Sequence, residues 1–222
     1  MTTLELLQLL GQGLLETLYM TLISTFLSYL IGLPLGMILT VTDKKGLRPN
    51  RAINLALGFV INMLRSVPFL ILAVAIIPFT RWIVGTSIGS TATIVPLVVA
   101  AAPYVARMIE SSLREVDAGV IEAARSMGSS DRQVLFKVMV PEAKPSLLVG
   151  ATIATTTILG YSAMAGFMAG GGLGTIAINY GYHRYNTEIM LYTVALLIIV
   201  VQVMQEAGLH LTRRLDRRRR AE

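Results

Sequence analysis

Arg107–Ser146, RMIESSLREVDAGVIEAARSMGSSDRQVLFKVMVPEAKPS, is a charged, amphipathic island in a chain that is otherwise mostly continuous apolar sequence. It holds twelve acidic and basic side chains in forty residues, so it cannot lie in hydrocarbon, where each charge is costly. Outward from it the composition changes completely. The 222 residues are 54% apolar and only 14% charged, and the mean hydropathy is strongly positive. Ordinary soluble domains carry about 25% charged residues. The chain therefore reads as an all-α integral membrane protein, with Arg107–Ser146 outside the bilayer.

A bilayer core of about 30 Å needs roughly 20 apolar residues of helix. Five segments meet that requirement, near residues 14–41, 56–84, 88–106, 147–169 and 189–209, within one transmembrane domain covering 1–222. Pro34, Pro68, Pro78, Pro96 and Pro103 fall inside them or at their edges. Each proline frees a backbone carbonyl that lipid cannot satisfy, so these helices are expected to bend and to pack on protein or a wet cavity. That pattern suits a transport bundle better than a set of anchors.

Sixteen of the nineteen basic residues sit in alternate loops. Lys44, Lys45, Arg48 and Arg51 occupy the first, Arg107, Arg114, Arg125, Arg132, Lys137 and Lys144 the second, and Arg213, Arg214 and Arg217 to Arg220 the tail. Arg81 and Arg184 fall on the other side, and Arg65 falls within a segment. Cytoplasmic loops hold the excess of lysine and arginine, so five spans with the N-terminus outside and the C-terminus cytoplasmic fit the count. Membrane orientation thus accounts for the net charge of +6 without a nucleic-acid partner, and Arg217 to Arg220 are expected to meet anionic lipid. The absence of cysteine excludes disulfide, iron–sulfur and thiolate-metal chemistry. His183 and His210 fall on opposite faces, so no metal site is expected. Met1 to Glu5 lack a basic n-region, and the first apolar helix is expected to stay in the mature protein.

Inside the polar island, Ile109, Leu113, Val116, Val120, Ala124 and Met127 recur every three or four residues, which predicts one amphipathic helix with one apolar stripe. Gly128 offers a turn at positive φ, and Ser130 with Gln133 has capping-box spacing for a second short helix that should stop at Pro141. Two readings remain on periodicity alone: an interfacial helix resting on lipid, or a knob presented to a partner.

Glu122-Ala123-Ala124, three residues, Gly128, nine residues and Val138-Met139-Val140-Pro141 resemble the EAA signature of permease subunits of bacterial ATP-binding-cassette importers. The family prefers isoleucine and leucine where Val138 and Val140 stand. The likeness runs over nearly the whole chain and is greatest to methionine-importing members, through Arg65-Ser66-Val67-Pro68-Phe69, Ile77-Pro78-Phe79-Thr80-Arg81, Ile83 to Gly89, Gly160 to Met164 and Ala169 to Gly174. It implies a homodimeric pathway for methionine, D- or L-, or a related amino acid. Two cytoplasmic ATPase subunits and an external substrate-binding protein would complete the assembly. Glu122, Ala123, Ala124, Gly128 and Pro141 would then couple to the ATPase, with Glu122 as a charged contact or helix cap.

No G-x-x-x-x-G-K-[ST] phosphate loop occurs, so this chain should bind no cofactor and catalyse nothing itself; ATP and magnesium would belong to the ATPase partner. The rival is an ion-coupled secondary carrier working without an ATPase, which would want acidic residues at mid-membrane. Arg65 is either a pathway charge or a snorkelling one. Tyr161, Ser162 and Met164 lie in a small-residue stretch that either packs helices or places Met164 against its copy as a deformable gate. Glu16 and Glu206 read as interfacial. Gly170 to Gly174 read as a flexible external loop.

Overall fold

The structure is a computed structural model in which residues 2–215 are described; the lipid contact expected of Arg217 to Arg220 lies outside them. The described residues form helices and turns with no strand. Four helices are long and apolar enough to cross a bilayer, or five if one bent pair counts as a single span.

Helix α1, Thr3–Thr42, is forty residues long and begins well before the expected residue 14. Thr2 and Glu5 explain the early start. The Thr2 N–H donates to Glu5 Oε2 at 2.9 Å and the Glu5 N–H to Thr2 Oγ1 at 3.3 Å, so donors of the first turn are satisfied locally. At its other end a folded loop runs from Asp43 to Asn50, with the Arg48 N–H on Val41 O and the Asn50 N–H on Thr42 O.

The expected span over 56–84 is three helices: α2 (Arg51–Ser66), α3 (Phe69–Ala75) and α4 (Ile77–Val84). Pro68 disfavours the α conformation at Val67 and stands as the N-cap of α3. Ile76, at φ −94°, divides α3 from α4, and Gly85, at φ +82°, ends α4. Helix α5, Ser90–Arg114, runs unbroken past Pro96 and Pro103 and eight residues beyond the expected end at 106. Helix α9, Lys144–Met164, tightens into a 3₁₀ turn at Ala165–Met168, where 169 was the expected end. A short helix α10, Gly172–Ile176, and a π-helical stretch, Ala177–Tyr182, follow. The last helix, α11, spans Thr187–Leu215, and Asn186 Oδ1 caps it by accepting from the Ile189 N–H at 3.1 Å.

The chain divides into two compact units. One comprises the N-terminal stretch to Ser28, Val67–Ala101 and Ala154–Gln205. Its core joins Met20, Phe69, Ala73, Leu97, Ala101, Ile158 and Ala165. Leu173, Ile176 and Ile189 form a second cluster with leucines of α1. The glycine-rich stretch is pinned here rather than flexible. The Gly172 N–H donates to Glu16 Oε2 at 2.7 Å, the Leu173 N–H to Thr17 Oγ1 at 2.9 Å, and Thr93 Oγ1 to Gly170 O at 3.0 Å. Glu16, read as merely interfacial, thus tethers this turn.

The other unit comprises Tyr29–Ser66, Ala102–Ile153 and the chain from Glu206. Leu39, Ile61 and Ala106 form its apolar centre. Glycines let α1 approach α5 closely. A Cβ on Gly36 would meet the Ala106 carbonyl oxygen at 2.5 Å and Ile109 Cβ at 2.8 Å, whereas one on Gly11 would meet nothing within 4 Å. Replacing Gly36 with alanine is therefore expected to cost about 1–3 kcal/mol by overpacking. Gly11→Ala should instead gain up to about 1 kcal/mol of helix propensity. Thermal unfolding in detergent measures both, and shifts of the same sign would refute the close approach at Gly36.

Candidate coupling segment and candidate gate

The polar island 107–146 contains the end of one helix, three short helices with a π-helical stretch between the last two, and the start of another. Its first residues, Arg107 to Arg114, extend α5, because their charges pair along the helix. Glu110 is buried, its side chain 5% exposed, between Arg107 at 2.7 Å and Arg114 at 2.6 Å. Arg107 also donates to Asn62 Oδ1 and the Gly58 carbonyl of α2, and Arg114 to Asp43 at 2.7 Å. A buried carboxylate between two guanidiniums is stable only while both remain; losing one partner of such a pair generally costs about 3–5 kcal/mol.

Helix α6, Ala118–Ser126, carries Glu122, Ala123 and Ala124. Its cap is Asp117, whose Oδ1 accepts from the Gly119 N–H at 2.7 Å, so Glu122 does not cap it. Glu122 and Ala123 are exposed, while Ala124 is buried. The expected stripe is interrupted, because the helix breaks between Arg114 and Ala118 and the register changes there. Ile109, Leu113, Val116 and Ala124 are buried, but Val120 is 41% and Met127 80% exposed.

Gly128, at φ +83°, turns the chain, and its N–H donates to Arg125 O. Ser130 and Gln133 form the capping box that their spacing predicts. The second helix then starts as α7, Asp131–Gln133, and widens into a π-helix over Val134–Met139, with Val134, Leu135 and Met139 buried. It does not stop at Pro141. Pro141 lies in the first turn of α8, Val140–Glu142, after the π turns. Proline lacks an N–H and crowds the carbonyl one turn back, and a widened turn before it relieves both demands.

Two arginines meet at Asp131. Arg48 Nε lies 2.6 Å from Asp131 Oδ2, and Arg125 Nη2 lies 3.4 Å from Oδ1 while donating to the Leu47 carbonyl at 3.0 Å. The hydrogen bond from Arg48 holds the Asp131 carboxyl below the ordinary carboxylate range, and the charges of Arg48 and Arg125 act in the same direction. Beside this contact is a cavity of about 330 Å³. Its lining includes Asp43, Lys45 and Leu47 from the loop and Ile121, Arg125 and Met139 from the polar segment.

The four gate candidates have separate environments. Tyr161 stacks on Phe69, with centroids 4.9 Å apart and planes 3° from parallel, and Ser162 is buried and donates to Leu159 O at 2.7 Å. Met164 is 47% exposed, and no Cβ contact lies within 4 Å of the neighbouring Gly160. Arg65 is exposed in the last turn of α2. Glu110 stands at helix-pair spacing from Arg107 and Arg114, but the pairing of Asp43, Arg48, Arg125 and Asp131 was not legible in the sequence. The one usable signal was Asp43 standing as the lone acid in the basic loop.

The described fold is that of a multi-spanning helical membrane protein with a folded polar segment ahead of α9. Residues 32–220 match the family described as binding-protein-dependent transport system inner membrane component, and the chain belongs to that family of the bacterial inner membrane. Among its relatives, the probable D-methionine transport system permease protein MetI of Vibrio cholerae is 54% identical over 203 residues, covering 91% of this chain and 90% of that one. The D-methionine transport system permease protein MetI of Escherichia coli K12 is 50% identical over 158 residues, 71% of this chain and 73% of that one. A solved structure of inward-facing conformations of the MetNI methionine ABC transporter has a TM-score of 0.95 at 46% identity, covering 98% of this chain and all of that one. A crystal structure of an amino acid ABC transporter with histidines, at 22% identity and a TM-score of 0.80, shares the fold.

The Asp131 contact has a defined pH dependence. A folded-state pKa below the ordinary 3.8 means that its stabilisation is complete above that value and is lost as pH falls through the lower folded value. Thermal unfolding of wild type and Asp131→Asn should therefore differ by a small, constant amount, as befits an exposed pair, from neutral pH down to about pH 5, and converge only below the ordinary carboxylate range. Convergence between pH 7 and 6 would contradict the assignment.

Proposed function

We propose that this chain is the membrane-spanning permease of an ATP-driven importer for methionine, D- or L-, or a related amino acid. It works as a pair of copies with two ATPase subunits and an external binding protein. The observation that carries this reading is the 46% identity, covering 98% of the chain at a TM-score of 0.95, to a chain of the MetNI methionine ABC transporter. ATP and magnesium bind the ATPase subunits. The segment with Glu122, Ala123, Ala124, Gly128 and Pro141 is the cytoplasmic handle, with the N-terminus outside. Met164, exposed on α9, is the gate residue that meets its copy, with Tyr161 and Ser162 beside it in the same helix, and Arg65 stays at the membrane surface. The basic loops support the orientation.

Vesicles containing the chain, its ATPase subunit and its binding protein should take up methionine only with ATP. Uptake driven by an ion gradient without ATP would establish a secondary carrier instead. Reporter fusions test the orientation: a cytoplasm-dependent fluorophore placed after Lys45 or Arg132 should be bright, and one placed after Tyr185 dark. At Gly128 the obstacle to a side chain is conformational, since nothing lies within 4 Å of a Cβ there while φ is +83°. Gly128→Val should cost about 1–2 kcal/mol locally and reduce ATPase co-purification. Gly128→Asn, which tolerates the left-handed region, should retain it. Equal retention by both variants would remove Gly128 from the handle.

A further inference from the structure

The loop after α1 is built to hold one shape. Gly46 has no room for a Cβ, which would collide with the carbonyl oxygens of Thr40 and Val41. The Lys45 N–H donates to Asp43 Oδ1 at 3.0 Å and the Gly46 N–H to Asp43 O at 2.9 Å. At the loop's far end Asn54 Nδ2 of α2 donates to Leu39 O of α1 at 2.8 Å and lies 3.2 Å from Thr42 Oγ1. Displacing this loop therefore displaces the ends of α1 and α2.

The same loop grips two parts of the polar segment on either side of its helix break. Asp43 accepts from Arg114 at the end of α5. The Leu47 carbonyl and Arg48 engage Arg125 of α6 and Asp131 of α7. Between these grips lies the cavity of about 330 Å³, walled by the buried Leu113, Val116 and Met139 and open towards the loop's Asp43, Lys45 and Leu47. Where apolar surfaces do not touch, dispersion and burial cannot fix a separation. The charged contacts at Asp131 and Asp43 fix it instead.

We infer that the loop Asp43–Asn50 is a strap that carries displacement of the handle into α1 and α2, with Arg48 and Asp131 as its positioning residues. Neither touches substrate. The strap rests on the importer reading given above. Arg48 is 76% exposed at its side chain, so its pair with Asp131 adds little to folding stability. Its effect is on transmission. Without the Arg48 contact, the Arg125–Leu47 hydrogen bond would be the remaining polar link from α6 to the loop, and α6 and α7 would otherwise follow α5 across the Glu115–Asp117 break. The ends of α1 and α2 would then follow the handle less closely.

The test uses the full complex of permease, ATPase subunit and binding protein in vesicles, reading methionine taken up per ATP hydrolysed. Arg48→Ala and Asp131→Ala should each lower that ratio, on the order of fivefold, while ATPase co-purification stays at the wild-type level. Arg48→Lys should restore most of the ratio, because the charge returns without the planar fork. Asp131→Ala also alters a helix first turn, so Arg48→Ala, which lies in no helix, decides between transmission and local folding. An unchanged ratio in both alanine variants would overturn the strap, and so would loss of ATPase co-purification in Arg48→Ala, which would make the residue part of the dock. A wild-type complex without ATP-dependent uptake would instead strike the importer reading itself, and the strap with it.

Discussion

The hydrocarbon of a bilayer cannot hydrogen-bond an unpaired amide or carbonyl, and this demand shapes the departures from straight helix in the apolar segments among the described residues. Where α10 begins without a preceding turn of helix, Glu16 and Thr17 of α1 accept the Gly172 and Leu173 N–H groups. Where the chain passes Gly170, Thr93 donates to its carbonyl. Beside the end of α1, Asn54 donates to Leu39 O, and Thr42 to Ile38 O. Threonine at membrane depth is therefore chiefly a backbone partner here. Thr40, Thr152, Thr193 and Thr212 each donate to the carbonyl four residues before them.

A second consequence concerns charge. Helix α5 carries apolar sequence and then continues past Arg107, and continuation requires its charges to be matched one turn apart. Glu110, with Arg107 three residues before it and Arg114 four after, meets that requirement. The matched triad lets one helix pass from an apolar to a polar setting without a break. The break comes only at Glu115–Asp117, where Asp117 caps a new helix.

The legible and illegible parts of the fold divide along this line. Periodicity and turn chemistry are local, so the capping box at Ser130, the turn at Gly128 and the apolar lengths could be read from the sequence. Thr2 with Glu5 offered an equally local signal for the start of α1. The division of 56–84 into three helices was only half legible, because Pro68 and Pro78 announce disturbance but not whether a helix bends or ends. The long-range contacts were illegible: Asp131 lies 83 residues from Arg48, and Gly172 lies 156 from Glu16. The glycine-rich stretch looked mobile because glycine permits many conformations in isolation. In the fold that freedom is spent on close approach, with Gly166 and Gly174 meeting at backbone distance.

The two kinds of contact also differ in what motion they allow. Around Gly166 and Gly174, backbone lies against backbone with no side chain between, and the neighbouring amides are held by Glu16 and Thr17. A shift there would forfeit dispersion contacts and the bonds that Glu16 and Thr17 supply to the Gly172 and Leu173 N–H groups, so this region has one favoured arrangement. Around Asp131 the partners are long, largely exposed side chains beside a cavity, and their charge-assisted bonds can lengthen or rotate while water takes up what they release. Such a contact can carry a displacement through a range of geometries without rupture. Arginine and aspartate beside a cavity tolerate small displacements that a packed apolar seam resists until it gives way as a whole.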